Sequence, residues 1–184
     1  MITDRPESRY HSNAAVGLSM AGSAAMVMAI YHPQTFQYAG SLSGFLNLSE
    51  GWWPMLVGLS MGDAGGYKAD DMWGKTEDPN SAWKRNDPIT QVSRIVANGT
   101  RLWIYCAPGN STPLDEGGDP NQAFNANSLE GMAIKSNKDF QEAYAKAGGN
   151  NATFVFPPSG NHAWPDWGQQ LTSLKPDLIA TLNG

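Results

Sequence analysis

The chain has 184 residues, 41% apolar and 16% charged, which is enough to bury a core of its own, and its formal charge of −5 argues against nucleic acid as a partner. No apolar run approaches the roughly 20 residues that span a bilayer. A single cysteine, Cys106, excludes an internal disulfide.

Residues 1–10 are polar and lack the apolar centre of an export signal, so no export segment is expected within this sequence. Asn13 to Gly17 reads as a strand and Met20 to Tyr31 as a helix. Pro33 ends that helix by pushing His32 out of the helical region. Between strand and helix stands Gly17-Leu18-Ser19-Met20-Ala21-Gly22, a serine on a sharp turn with very small neighbours at minus two, plus two and plus three. That is the context of a nucleophile elbow, although the usual G-x-S-x-G has glycine where this chain has Ala21. The helix opening there aims free N–H groups at the place where an oxyanion would form, with Met20 supplying the first.

Phe36 to Leu42 reads as a buried strand. Glu50 to Ser93, with four tryptophans, several glycines and three prolines, reads as helical turns and loops inserted above the sheet. It contains Gly58-Leu59-Ser60-Met61-Gly62, which fits G-x-S-x-G to the letter. The glycines that follow propagate a helix poorly and the upstream Trp52-Trp53-Pro54 makes poor strand sequence, so Ser60 is read as structural. Thr100 to Cys106 is the clearest strand. A Gly/Pro/Asn-rich loop spans Ala107 to Gly118, helical spacing runs from Asn125 to Lys146, and Ala152 to Phe156 is the last strand. Gly160 to Trp167 is a loop, and Trp167 to Leu182 a closing helix. Strands alternating with helices predict a parallel α/β sheet, in one domain over residues 1–184.

A serine nucleophile needs a base and a carboxylate to orient it, and on this fold the order is serine, acid, histidine. Of the three histidines, His11 precedes the elbow strand and His32 lies at the far end of the elbow helix. His162, directly after the last strand, is the candidate base. Spacing favours Asp115 or Glu116 as the acid, with Glu130 further on as the third choice. No metal or cofactor is expected.

Beyond the elbow, the stretches Gly17-Leu18-Ser19-Met20-Ala21-Gly22-Ser23, Tyr38-Ala39-Gly40-Ser41-Leu42-Ser43-Gly44-Phe45-Leu46-Asn47, Met61-Gly62-Asp63-Ala64-Gly65-Gly66-Tyr67, Trp83-Lys84-Arg85-Asn86-Asp87-Pro88 and Phe156-Pro157-Pro158-Ser159-Gly160-Asn161-His162 together carry a resemblance. That resemblance is to the antigen 85 mycolyltransferases, secreted acyltransferases of mycolic-acid-bearing bacteria. It implies an α/β-hydrolase fold, a mostly parallel sheet flanked by helices, here lacking the family's N-terminal strands. It also implies a Ser19–Glu130–His162 triad, because Leu129-Glu130-Gly131 matches the family's acid motif and displaces Asp115 and Glu116. Met20 then donates to the oxyanion, Asn47, Met132, Ile134, Lys135 and Trp164 contact substrate, and Cys106 lies beside the triad without belonging to it.

The implied reaction moves a mycolyl group between trehalose esters and a sugar acceptor such as arabinogalactan, outside the cytoplasm. Alternatives are a carboxylesterase with the same triad, or a non-catalytic fragment that binds fibronectin or another surface. The family's Tyr-Cys-Gly-Asn-Gly is here Tyr105-Cys106-Ala107-Pro108-Gly109, and Ala163 stands where a serine usually follows the base. Both departures bear on the shape of the sugar site.

Overall fold

A computed structural model describes residues 12–110, 112 and 120–183, with side chains in the last stretch described from residue 125 onward. Four strands, β1 (Asn13–Leu18), β2 (Phe36–Leu42), β3 (Arg101–Tyr105) and β4 (Ala152–Val155), pair in parallel in the order β1-β2-β3-β4. The sheet is therefore parallel, with each strand beside the next in the chain and helical crossovers between them, as the alternation of the sequence predicts.

The helices are α1 (Met20–Tyr31), α2 (Trp53–Gly65), α3 (Ala69–Trp73), α4 (Ala82–Arg85), α5 (Val92–Asn98), α6 (Pro120–Lys146) and α7 (Trp164–Asn183). Side-chain alternation along β3 divides the core. Leu102 and Ile104 pack with Met26, Ala29 and Ile30 of α1, Ile95 of α5, and Phe140 and Tyr144 of α6. Tyr105 and Trp103 turn to the other face, against Trp167 and Leu174 of α7. Arg101 pins α7 to that face, its guanidinium donating from Nε and Nη2 to both oxygens of Asp177 at 2.8–3.1 Å.

Three elements differ from expectation, the first being α6, which starts at Pro120 and not at Asn125. Gly58 to Gly65 continues α2 despite its glycines. Pro54 sits in the first turn, and Gly66 closes the helix in the left-handed conformation with its N–H on the Gly62 carbonyl. Ser60 is thus an exposed residue in mid-helix, far in conformation from a strand–helix turn. The closing helix begins at Trp164, three residues before the expected start, because Pro165 falls in the first turn, where its missing N–H is not needed.

Candidate active site

The turn between β1 and α1 places Ser19 with φ 53° and ψ −131°, a conformation that an L residue adopts only under constraint. Two glycines make the turn possible. A Cβ on Gly17 would overlap the Ala21 carbonyl, and one on Gly22 would lie 2.8 Å from Ser41 Oγ and 3.1 Å from Gly44 Cα. Ala21 itself is exposed, so the glycine of the usual motif is not required at that position. The close approach occurs one residue later, at Gly22. Ser19 N–H donates to the Leu42 carbonyl at 2.9 Å, which ties the elbow to the end of β2. Met20 opens α1, so its N–H lies in the helix's first turn, beside the Ser19 hydroxyl.

His162 is carried by the loop between β4 and α7, and that loop is stitched down on three sides. Gly160 exchanges backbone hydrogen bonds with Asn110 at 3.0–3.2 Å, Asn161 N–H donates to Asp166 Oδ2 at 2.9 Å, and His162 N–H donates to the Ala126 carbonyl on α6 at 3.3 Å. Gly160 has φ 138°, and a Cβ there would lie 2.6 Å from Ala107 Cβ, so glycine is needed on both counts. Glu130, one helical turn beyond Ala126 on α6, presents its carboxylate to the same histidine.

The three side chains meet as one hydrogen-bonded chain. Ser19 Oγ lies 2.9 Å from His162 Nε2, and His162 Nδ1 lies 2.7 Å from Glu130 Oε2. The other Glu130 oxygen accepts from the Ala107 N–H at 2.7 Å and from the Ser43 hydroxyl at 2.7 Å. Glu130 is completely buried, and these donors replace the water it has lost. Around the imidazole, Phe45 stacks at 6.1 Å and Trp167 packs edge-on at 4.9 Å. Phe45 is itself fixed by Ser23 of α1, whose hydroxyl donates to the Phe45 carbonyl at 2.8 Å and accepts its N–H at 2.9 Å.

The remaining predicted residues are less tightly drawn together. Cys106 is fully buried behind the carboxylate, and burial first, then the nearby Glu130, pushes its thiol pKa well up. Trp164 is 69% exposed and touches Trp167 edge-on at 5.6 Å, on the rim of the site. Met132 is exposed on α6, and Ile134 is half-buried against Phe45, Cys106 and Ala133. Lys135 points along the helix to Asp139 Oδ2 at 2.6 Å. Asn47 is half-buried, with an Oδ1 that has no hydrogen-bond partner. Asp115, Glu116 and His11 lie outside the described residues. His32 caps the far end of α1. Sequence reasoning missed Ser43 and Trp167 as parts of the site. A serine after a strand and an aromatic in a closing helix carry no signal that separates them from turn and core.

Chemically, the arrangement can activate a hydroxyl. A carboxylate accepts only, so His162 Nδ1 is the donor to Glu130, and Nε2 is left to accept the Ser19 proton.

A family model described as a putative esterase matches residues 2–178. The chain is 60% identical over 170 residues to the diacylglycerol acyltransferase/mycolyltransferase Ag85B of Mycolicibacterium smegmatis, and 56% identical over 172 residues to the Ag85C protein of Mycobacterium leprae. These matches cover 92% and 94% of this chain but 51% and 50% of the relatives, so the chain spans about half their length. Among solved structures it superposes on MPT51 of Mycobacterium tuberculosis with a TM-score of 0.75 at 32% identity, over 92% of this chain and 60% of that one. A ferulic acid esterase, 16% identical with a TM-score of 0.56 over 91% of this chain and 51% of its own, shares the fold.

Proposed function

The chain belongs to this family of putative esterases, and from that premise we propose that it carries a serine acyltransferase centre with Ser19 as nucleophile, His162 as base and Glu130 as orienting acid. The observation that carries the reading is the continuous hydrogen-bonded chain from Ser19 Oγ through both imidazole nitrogens to a buried carboxylate.

The steps follow from the geometry. His162 Nε2 takes the Ser19 proton as Oγ attacks the ester carbonyl. The oxygen of the tetrahedral intermediate gains negative charge and accepts the Met20 N–H, at the positive end of α1. Collapse breaks the bond to the leaving alcohol, which takes the proton from the imidazolium. Glu130 stabilises that cation and keeps the ring in one tautomer. A second sugar hydroxyl then repeats the sequence in reverse, leaving a new ester and free Ser19.

The acyl class is a long chain. Met20, Leu129, Met132 and Trp164, each within two residues of Ser19, Glu130 or His162 in the chain, are exposed apolar side chains of the kind an acyl chain and a sugar face would need. Likeness to enzymes named diacylglycerol acyltransferase/mycolyltransferase supports a mycolyl or other acyl group as the one transferred. The resemblance set out from the sequence adds mycolyl esters of trehalose as donor, a cell-wall sugar as acceptor, and secretion or residence in the envelope. Among the described residues no helix is long and apolar enough to cross a membrane.

The second reading is hydrolysis by the same triad, favoured by the openness of the rim, where Met20 is 76% exposed and water has access. Incubation with a labelled acyl-trehalose, with and without excess trehalose, separates the two. Label in a new diester supports transfer, free acid in both arms supports hydrolysis, and no turnover in either overturns the acyl-enzyme reading.

A further inference from the structure

Behind the triad, three elements converge on the carboxylate of Glu130. Ser43 follows β2, Trp167 lies on α7, and Glu130 lies on α6. Trp167 Nε1 is 2.9 Å from Ser43 Oγ, and Ser43 Oγ is 2.7 Å from Glu130 Oε1. The direction of each bond is fixed by chemistry. An indole N–H only donates, so Ser43 Oγ accepts from Trp167 and its single hydrogen is left for the carboxylate, which only accepts. We propose that Trp167 and Ser43 are positioning residues for the triad, the indole N–H orienting the Ser43 hydroxyl so that Glu130 is held in the rotamer that meets His162.

The proposal rests on the triad reading above and extends it by one layer. Ser43 occupies a left-handed backbone conformation with φ 55°, held there by its N–H on the Tyr105 carbonyl at 2.7 Å. A non-glycine residue in that region is strained, and such strain persists only where the surroundings over-determine it. With Ser43 and the Ala107 N–H both on Oε1, Oε2 is left for the imidazole. Trp167 also packs its ring edge-on to His162, so one side chain limits the tilt of the base and feeds the donor chain to the acid. The proton on every group from Trp167 through Ser43, Glu130 and His162 to Ser19 is thereby assigned.

The test is a spectroscopic signature that packing alone does not move. The chain has three histidines, so ring-15N labelling gives three assignable imidazoles, with His162→Gln identifying one of them. The His162 Nδ1 proton, bonded to the carboxylate, is expected as a low-field resonance in the wild type. Ser43→Gly adopts the same φ without strain, so its fold is not at risk, and it lacks only the hydroxyl. Trp167→Phe keeps an aromatic ring but loses the fused five-membered ring along with the N–H, so Ser43→Gly, which leaves Trp167 and its packing against His162 in place, is the variant that isolates the hydrogen bonds. Both are expected to lose or broaden the low-field resonance. Both should also label with a serine-directed phosphonate roughly ten- to a hundredfold more slowly, the range of one hydrogen bond to a charged group. An unchanged resonance in Ser43→Gly and Trp167→Phe overturns the proposal, as does its absence from the wild type. A wild type that shows the resonance but resists the phosphonate overturns the catalytic reading and leaves the donor chain standing.

Discussion

Among the described residues Ser19 and Ser43 are the two non-glycine positions with left-handed backbone, φ 53° and 55°, and they close neighbouring strands β1 and β2. Each is tied one strand along, Ser19 N–H to the Leu42 carbonyl at 2.9 Å and Ser43 N–H to the Tyr105 carbonyl at 2.7 Å. The sheet therefore lifts two hydroxyls at its carboxyl edge in the same way. One meets the imidazole and the other the carboxylate bonded to that imidazole. Parallel sheets present their sites at this edge, and the shared strain is confined to it.

Ser19→Ala should abolish covalent labelling by a serine-directed phosphonate, while Ser60→Ala leaves it intact. Ser60 sits exposed in the middle of α2, where no base among the described residues is bonded to it. Mass spectrometry of the labelled protein decides the matter, and an adduct that survives Ser19→Ala would move the nucleophile elsewhere.

Gly17→Ala should destabilise the fold by about 3 kcal/mol, since its Cβ would overlap the Ala21 carbonyl in a turn that has no room to relax. Ala21→Gly, which restores the full G-x-S-x-G motif, should gain nothing. Ala21 is an exposed helical position, so the change costs about 1 kcal/mol and leaves labelling as it was. Urea titration of both variants separates a requirement for space from resemblance to a motif.

Glu130→Gln should slow phosphonate labelling and acyl transfer by about ten-thousandfold, the loss seen when a triad acid is replaced by its amide and the imidazole takes the wrong tautomer. Lys135→Met should have an effect below about threefold, because that ammonium is paired with Asp139 on the helix surface. Equal losses in the two variants would remove Glu130 from its role.

The parts of this centre that were legible in the sequence are those with a local signature. Gly17, Ser19 and Gly22 announce a turn with no space in it, and His162 follows from chain order on an alternating α/β pattern. Glu130 was not legible in that way. Spacing favoured Asp115 or Glu116, and only the family likeness pointed to a carboxylate on α6. Its contact with His162 spans 32 residues and is made by packing α6 beside the loop after β4, which no local pattern encodes. Ser43 and Trp167 were hidden for the same reason, being 124 residues apart in the chain. α7 starts at Trp164 rather than at the expected Trp167, with Pro165 accommodated in its first turn.

Stability should fall with rising pH above about 8.5, and Cys106 should account for the first part of the fall. The thiol is completely buried at the end of β3, and burial raises its pKa above the ordinary value, with the Glu130 charge acting in the same direction. In the unfolded chain the thiol ionises near pH 8.5, whereas the folded chain keeps it protonated. Above that pH the unfolded state binds fewer protons than the native one, so the free energy of unfolding decreases, by at most about 1.4 kcal/mol for each pH unit. Below pH 8.5 both states hold the proton and this contribution is constant. Tyr38 and Tyr105 are pushed upward by burial as well, but their unfolded reference lies near pH 10, so they steepen the fall only beyond it. Urea midpoints measured at pH 7, 8.5 and 9.5 for the wild type and Cys106→Ala give the test. The variant should be less stable at pH 7, where a buried sulfur has been removed, and flatter between pH 8.5 and 9.5. Parallel curves over that interval would show that the thiol titrates alike in both states, contrary to its burial. The same protonated, enclosed thiol should alkylate with iodoacetamide far more slowly in the native protein than in denaturant, since the thiolate is the reactive form.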